Sequence, residues 1–166
     1  MNAVTRTAVP ADALALARLR WAFRSVEAEP IEDEESFVAR CTAWMAERLA
    51  SGRWRCWVAG AGTEIDGCLW LQLIEKLPNP AAELEQHAYI SSVYVRPAAR
   101  GAGIGEALVR VALDFCKENG VDSAILWPTA RSRSLYARHG FSRPDDMLEA
   151  LIDRSRQIGL NTEATA

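Results

Sequence analysis

Apolar positions between residues 89 and 119 change from a strand pattern to a helix pattern across a run of glycines. β-branched and aromatic side chains dominate Tyr89 to Val95, which is typical of a strand, and Pro97 ends it because proline offers no N–H to a sheet. Beyond the glycines, apolar residues recur at helical spacing, at Ile104, Leu108, Val111 and Phe115. Asn119-Gly120 then supplies a left-handed helix stop. The order is therefore strand, glycine-rich turn, helix.

The residues before this stretch predict a strand, two helices and a hairpin. Thr5 to Val9 is the first predicted strand, and Asp12 can cap a helix that Pro30 breaks. A second helix is expected from about Asp33 to Gly52, with one apolar stripe at Phe37, Cys41, Trp44, Met45 and Leu49. The order of a strand followed by two helices places amphipathic helices beside a sheet.

Two apolar runs, Trp54 to Ala59 and Asp66 to Ile74, flank a glycine-rich segment and predict a hairpin. Trp57 and Trp70 lie in these runs, and core packing is the expected role of each rather than a place in a cleft wall. The loop from Lys76 to about Gln86 is long for a hairpin connection, so it is either a binding loop or a surface excursion.

After the central helix the pattern predicts a short strand from Ser123 to Trp127 and a short helix from Ser132 to His139, closed by Gly140. No internal repeat or linker interrupts the chain, so residues 1–166 are predicted to form one domain with a core of substantial size. Strands and helices together in one such domain indicate an α/β (α+β) fold class.

Composition narrows the function classes. The net charge of −3, from 19 basic and 22 acidic residues, argues against general affinity for nucleic acid, which needs clustered Lys and Arg. The N-terminal residues lack a long apolar core, so we expect neither a signal peptide nor a membrane span. The four cysteines are Cys41, Cys56, Cys68 and Cys116, and their spacing is typical of neither disulfide pairs nor metal ligands. We therefore expect free core thiols in a reducing cytoplasm and no metal site.

The glycine-rich turn has a chemical use. Glycines let a ligand approach the bare backbone, and the free N–H groups at a helix start bind phosphate, so residues 101–106 predict an anion site with the charge of Arg100 at its rim. Gly101-Ala102-Gly103-Ile104-Gly105-Glu106 is not a dinucleotide fingerprint, because Glu106 stands where the third glycine belongs. It is not a Walker loop either, because Gly-Lys-Ser/Thr is absent. A plain tight turn would rarely need three alternating glycines.

At these residues the chain resembles the Gcn5-related N-acetyltransferases (GNAT). Their signature of Arg or Gln, two residues, Gly, one residue, Gly or Ala matches Arg100, Gly103 and Gly105, after a Val-Tyr-Val strand end at Val93 to Val95. A second element, Ser134 to Phe141, is similar to the family's Leu-Tyr-x-x-x-Gly-Phe. The resemblance implies the acyl-CoA N-acyltransferase fold, a mixed and mostly antiparallel sheet flanked by helices. It also implies a final strand near residues 147–152, although Met147, Leu148, Leu151 and Ile152 have helical spacing.

The resemblance further implies the site residues. The pantetheine arm of acetyl-CoA would pair with the backbone of Val93 and Val95, and Tyr136 would donate a proton to the departing thiolate. The family's Asn and Ala before that tyrosine are Thr129 and Ser132 here, which we expect to take over part of the cofactor contact. The pyrophosphate would be held by Arg100 and by the backbone of the turn, namely Gly101, Ala102, Gly103, Ile104, Gly105 and Glu106.

The chain lacks the family's general base at the position where the resemblance would place it. Histone-type members have a glutamate where Tyr89 stands here, so Glu75, Glu85 and His87 are the nearby candidates, alone or through water. The predicted function is acetyl transfer from acetyl-CoA to a primary amine of a small-molecule acceptor, by direct attack in a ternary complex. A catalytically inactive CoA-binding regulator is the alternative, and an α/β interaction module with no small ligand is a third reading.

Two further expectations concern partners. Homodimers are frequent in the family, so the resemblance leaves a homodimer open. Six acidic residues lie around the junction of the first two helices: Glu27, Glu29, Glu32, Asp33, Glu34 and Glu35. We expect them to be solvated acids that favour the helix dipole, and attraction of a cationic amine is the weaker interpretation.

Overall fold

The computed structural model describes residues 4–60, 64–150 and 152. Within these residues the chain forms five strands and four α-helices, in the order β1-α1-α2-β2-β3-β4-α3-β5-α4. The strands are β1 (Thr5–Thr7), β2 (Trp54–Ala59), β3 (Gly67–Glu75), β4 (Gln86–Val95) and β5 (Ser123–Ile125). The helices are α1 (Ala13–Arg24), α2 (Glu34–Ser51), α3 (Ile104–Glu118) and α4 (Arg133–Arg138). Short 3₁₀ turns occupy Pro10–Asp12, Pro97–Ala99 and Ala130–Ser132.

The strands form one sheet in the order β1-β2-β3-β4-β5. The first three pairings are antiparallel, whereas β4 and β5 are parallel because α3 carries the chain from the end of β4 back to the start of β5. The sheet is therefore mixed and mostly antiparallel, as predicted. None of the helices in the described residues combines the length and the apolar character that crossing a bilayer requires.

Alternating side chains of the sheet face two separate layers of helix. On one face Leu69, Leu71 and Ile90 pack with Leu108 and Val109 of α3. On the other face Val58 and Cys68 pack with α1 and α2, through Leu16, Leu19 and Met45. Trp57 belongs to the first core, where its ring meets Phe115 at a centroid distance of 5.3 Å. The expected core role of Trp57 is thereby confirmed.

The ends of α2 follow from its sequence. Asp33 has extended backbone, and its carboxylate accepts the Ser36 N–H at 2.9 Å, which satisfies one free donor of the first turn. Gly52 ends the helix at φ 80°, a conformation that disfavours any residue with a Cβ. The prediction that the Asp12 side chain caps α1 is wrong. Its carboxylate instead accepts from the Val9 N–H and from Arg6, because the 3₁₀ turn precedes the helix.

The predicted final strand is wrong for the residues that the structure describes. Residues 147–150 form neither strand nor helix, and residue 151 lies outside the described part. Leu148 is 94% exposed, so its apolar side chain is not drawn to the sheet. A strand needs a partner edge for its N–H and C=O groups, and the sheet ends at β5 among the described strands.

Candidate active site

A β-bulge in β4 determines which of its side chains share a face. Trp70 pairs with Ser92 but Leu71 pairs with Ile90, so Ser91 is an extra residue on β4. Because strand side chains alternate with period two, one extra residue reverses the alternation beyond it. Tyr89 and Ser91 before the bulge, and Ser92 and Tyr94 after it, therefore all face the layer of α1 and α2, where they line one pocket.

Strands β4 and β5 separate just before the bulge. Their pairing comprises three residues on each strand and ends at Tyr89 and Ile125. The backbone from Ile90 to Val95 therefore has no neighbouring strand on that side within the described residues. An open strand edge of this kind accepts an extended ligand through main-chain hydrogen bonds. The predicted pantetheine-binding residues, Val93 and Val95, lie on this edge.

The glycine-rich turn leaves six consecutive N–H groups free at the start of α3. Gly101 and Gly103 have φ values of 83° and 76°, which glycine adopts without strain. The N–H groups of residues 101–106 donate to no group of the described chain, and the first helical hydrogen bond runs from Ala107 N to Gly103 O at 3.0 Å. Free N–H groups together with the positive end of the helix dipole form an anion site.

Charged side chains around this turn add a net positive charge. The Nε of Arg100 donates to Val95 O at 3.1 Å, which holds the guanidinium beside the end of β4 and leaves its two terminal nitrogens for a ligand. Glu106 lies in the first turn of α3, and its carboxylate is 3.9 Å from the guanidinium of Arg138 on α4. Arg138 therefore offsets the one negative charge beside the anion site.

The candidate acid, Tyr136, lies on α4 and is buried, with 8% of its surface exposed. Its ring meets Phe141 edge-on at a centroid distance of 5.6 Å. Burial raises the pKa of the Tyr136 hydroxyl, and a hydrogen bond with Ser132 opposes that rise. The hydroxyl therefore stays protonated at neutral pH and has a proton to give.

Thr129 and Ser132 bond mainly to one another. The Thr129 N–H donates to Ser132 Oγ at 3.0 Å, and the two hydroxyl oxygens are also 3.0 Å apart, so the pair caps the turn before α4. A Ser or Thr hydroxyl has one donor and two acceptor positions. Contact with the cofactor, the role predicted for both residues, would use the capacity that this cap leaves free.

A pocket of about 400 Å³ lies between the sheet and helices α1 and α2. Its walls are aromatic, with Trp44, Trp54 and Trp70 in mutual contact at centroid distances of 5.2 to 6.2 Å. Phe23 stacks on Tyr94 at 4.7 Å. Trp70 is buried in the second core, as expected, and it also forms part of the pocket wall, which was the alternative role. The charged lining side chains are Arg20 and Arg40.

Among the residues that the structure describes, the pocket lining contains no carboxylate and no imidazole, so the three candidate bases lie elsewhere. Glu75 is 3.5 Å from Arg53, and Glu85 accepts the Asn79 N–H. His87 Nδ1 is 2.8 Å from Ser123 Oγ, at the paired end of β4 and β5. Tyr89, at the position of the family's glutamate, does line the pocket and meets Trp127 edge-on at 5.2 Å.

Sequence reasoning did not single out Arg20, Trp44 or Trp54 as site residues. Their positions resemble those of any amphipathic helix or hairpin, and only the packing of distant elements brings them together. For Trp44 the helical stripe was a usable signal, because it predicted which face of α2 turns inward. For Arg20 no local signal exists.

These features place the chain among known enzymes. A model of the acetyltransferase (GNAT) family matches residues 14–141, and the chain belongs to that family. Membership confirms the predicted family, the fold and the class of function, an acetyl-CoA-dependent N-acetyltransferase. The individual contacts of the cofactor and the identity of the acceptor are separate questions.

Three individual proteins illustrate the similarity. A GCN5-related N-acetyltransferase from Ralstonia eutropha is 30% identical with a TM-score of 0.68, covering 89% of this chain and 97% of that one. A predicted acetyltransferase from Clostridium acetobutylicum, solved with acetyl-CoA, is 23% identical with a TM-score of 0.70, covering 89% and 95%. An uncharacterized N-acetyltransferase of Methanocaldococcus jannaschii is 30% identical over 107 residues, 61% of this chain and 44% of that protein. The match thus spans less than half of the archaeal protein.

Proposed function

We propose that this protein acetylates the primary amine of a small-molecule acceptor, by direct attack on acetyl-CoA in a ternary complex. One observation carries the proposal: the aromatic pocket and the open strand edge meet at the bulge of β4. Tyr89, Ser91 and Ser92 line the pocket, and β4 loses its β5 partner directly after Tyr89. An amine in the pocket and a thioester on the strand edge would therefore be neighbours, which is what direct attack needs.

Acetyl-CoA would bind through backbone groups. Its pyrophosphate fits the free N–H groups of residues 101–106, with Arg100 and Arg138 supplying positive charge nearby. Its pantetheine arm would then add to the edge of β4 beside Val93 and Val95, like a short extra strand. An N–H of that edge would face the thioester oxygen and stabilise the negative charge that develops there.

The reaction conserves atoms and charge as follows. The neutral amine nitrogen attacks the thioester carbonyl carbon, a C–N bond forms and the C–S bond breaks, with the bonding electrons leaving on sulfur. Tyr136 donates its proton to that thiolate, the amine releases a proton to solvent, and Tyr136 then regains a proton from solvent. The products are the N-acetylated acceptor and CoA. The buried hydroxyl of Tyr136 supports this role, because its raised pKa keeps it protonated.

The missing base favours a second candidate function. Since the described part of the chain contributes no carboxylate or imidazole to the pocket lining, a general base acting directly on the amine would have to come from outside that lining. A CoA-binding regulator without turnover would need no such base. For an active enzyme, water in the pocket would carry the amine proton away.

Two measurements separate these candidates. Thermal unfolding is recorded with acetyl-CoA and, as a matched nucleotide control, with NADH. At a hundredfold excess over Kd, acetyl-CoA should stabilise the fold by about 2.7 kcal/mol, a rise in Tm of several degrees. An amine panel with detection of the CoA thiol then tests turnover. Binding without thiol release above background hydrolysis on any amine would favour the regulator.

Location and assembly belong to the same proposal. We infer a reducing, cytoplasmic location, supported by four free thiols of which three are buried. A homodimer stays a prediction, and sedimentation of the purified protein over a concentration series tests it.

A further inference from the structure

One side chain of the acceptor pocket carries a positive charge that nothing in the described residues neutralises. Arg20 projects from α1 into the pocket, and no carboxylate of the described chain lies within salt-bridge distance of it. Its terminal nitrogen NH1 donates to Ser92 Oγ at 3.3 Å. An arginine side chain carries five N–H donors, so most of its capacity is unused.

The neighbouring charges do not compensate for Arg20. The other arginine of the pocket, Arg40, is paired with Glu32. On α1 itself, Arg24 forms an ion pair with Glu27 at 2.6 Å. Burial lowers the pKa of Arg20 and repulsion from Arg24 adds to that effect, whereas Cys41, Cys68 and Glu27 oppose it. An arginine nevertheless stays charged in proteins, so the half-buried guanidinium of Arg20 gives the pocket a binding group for an anion.

The position of Arg20 limits how far this anion lies from the reacting amine. Ser92, its hydrogen-bond partner, is adjacent along β4 to Val93, whose backbone we propose to lie beside the thioester. Successive residues of a strand are about 3.3 Å apart. An acceptor bound to Arg20 would therefore have its amine only a few bonds from its anionic group, as an α-amino acid does.

The remaining walls describe the rest of the acceptor. The cluster of Trp44, Trp54 and Trp70, together with the Phe23–Tyr94 stack, offers apolar surface beyond the Arg20 guanidinium. A volume of about 400 Å³ is near the lower end of the usual range for small-molecule pockets. A single amino acid fits this description better than a protein side chain or a long polyamine.

Building on the proposed function, we propose that the acceptor is an α-amino acid with a large apolar or aromatic side chain, and that Arg20 binds its carboxylate. The planar guanidinium matches a carboxylate with two parallel hydrogen bonds. The apolar side chain would lie against the tryptophans, and the α-amino group would face the thioester. The acidic run near residues 27–35 then serves to cap α2 and to pair with arginines rather than to attract a cationic amine.

Direct binding tests the assignment without requiring turnover. Calorimetry compares L-phenylalanine with phenethylamine, which lacks only the carboxylate, on the wild-type protein and on the Arg20→Met variant. Phenylalanine should bind the wild type about 10- to 150-fold more tightly than the variant, the range expected for a hydrogen bond to a charged group. Phenethylamine should bind the two proteins alike. Arg18→Met, an exposed arginine on the same helix, is the matched control and should leave both affinities unchanged.

Turnover gives a second readout. With thiol release as the assay, Arg20→Met should raise KM for phenylalanine by the same factor while KM for acetyl-CoA stays constant. Arg20→Lys keeps the positive charge but loses the planar guanidinium with its two parallel hydrogen bonds. Its KM for phenylalanine should therefore lie between those of the wild type and Arg20→Met. Thermal unfolding checks that each variant is folded, and Arg20→Lys serves as the test variant should Arg20→Met prove unfolded.

Several outcomes would overturn the assignment. It fails if phenethylamine binds as tightly as phenylalanine, or if Arg20→Met weakens both equally. It also fails if other amines are acetylated while no apolar amino acid is, and in that case the proposed function still holds. If acetyl-CoA binds but no amine releases thiol, the proposed function fails, and Arg20-dependent binding of phenylalanine would still support the ligand class.

Discussion

A single methyl group at Gly103 should damage the anion site, whereas the same change at Gly105 should not. Gly103 is the N-cap of α3 at φ 76°, and a Cβ built there meets nothing within 4 Å. The cost of Gly103→Ala is therefore purely conformational, about 1–2 kcal/mol for an L-residue in the left-handed region. For a chain of this size that lowers Tm by roughly 2–8 °C, at about 2–4 °C per kcal/mol.

Gly105 provides the matched comparison. It is helical, and its Cβ would be 3.5 Å from Leu135 Cδ2, an ordinary contact. Gly105→Ala should therefore leave Tm unchanged or raise it, since alanine is favoured over glycine in a helix by up to about 1 kcal/mol. This agrees with the family signature, which accepts Gly or Ala at the position of Gly105.

Acetyl-CoA binding distinguishes a strained turn from a damaged site. If the loop relieves its strain by turning one N–H away from the pyrophosphate, the lost hydrogen bond to a charged group weakens binding by about 10- to 150-fold. Calorimetry on wild type, Gly103→Ala and Gly105→Ala measures this directly. The reasoning is refuted if Gly103→Ala melts like the wild type and binds acetyl-CoA within twofold of it.

Two further predictions concern the acid and the thiols. Tyr136→Phe keeps the packing on Phe141 and should leave Tm close to wild type, but kcat should fall by about 10²–10⁴-fold. Activity needs the protonated hydroxyl of Tyr136, so it is lost as pH rises through the pKa of that hydroxyl. Burial raises this pKa above its ordinary value of about 10, so Tyr136 should cause no loss of activity below about pH 10. An unchanged kcat in the Tyr136→Phe variant rules out this acid. A thiol-alkylating reagent followed by mass spectrometry should label Cys41, which is half-buried in the pocket wall, before the buried Cys56 and Cys68. Burial raises the pKa of all three thiols, to about 12 for Cys68 and well above the usual value for Cys56, and Cys41 alone of the three is partly accessible to the reagent. Equal labelling of the three thiols in the folded protein would contradict the described burial, and a bound acceptor should protect Cys41.

The predicted elements that rest on local chemistry agree with the structure, apart from the side-chain cap expected from Asp12. Asp33 caps α2, Gly52 ends it, and Gly101 and Gly103 adopt the left-handed conformations that their turn requires. The hairpin of β2 and β3 and the amphipathic α3 follow from periodicity. The final strand near residues 147–152 came from the resemblance instead, and the described residues there do not pair with the sheet.

The amino-acid sequence by itself therefore determined the strand, turn and helix around residues 89–119, the family, and the glycine turn with its free N–H groups, because each depends on neighbours within a few positions. Tertiary structure alone decided the bulge at Ser91, the separation of β4 from β5, and the approach of Arg20 to Ser92. Strand register is a property of two chain segments, and Arg20 and Ser92 are 72 positions apart along the chain. No local pattern encodes such a meeting, so the aromatic pocket forms only when the helices have packed on the sheet.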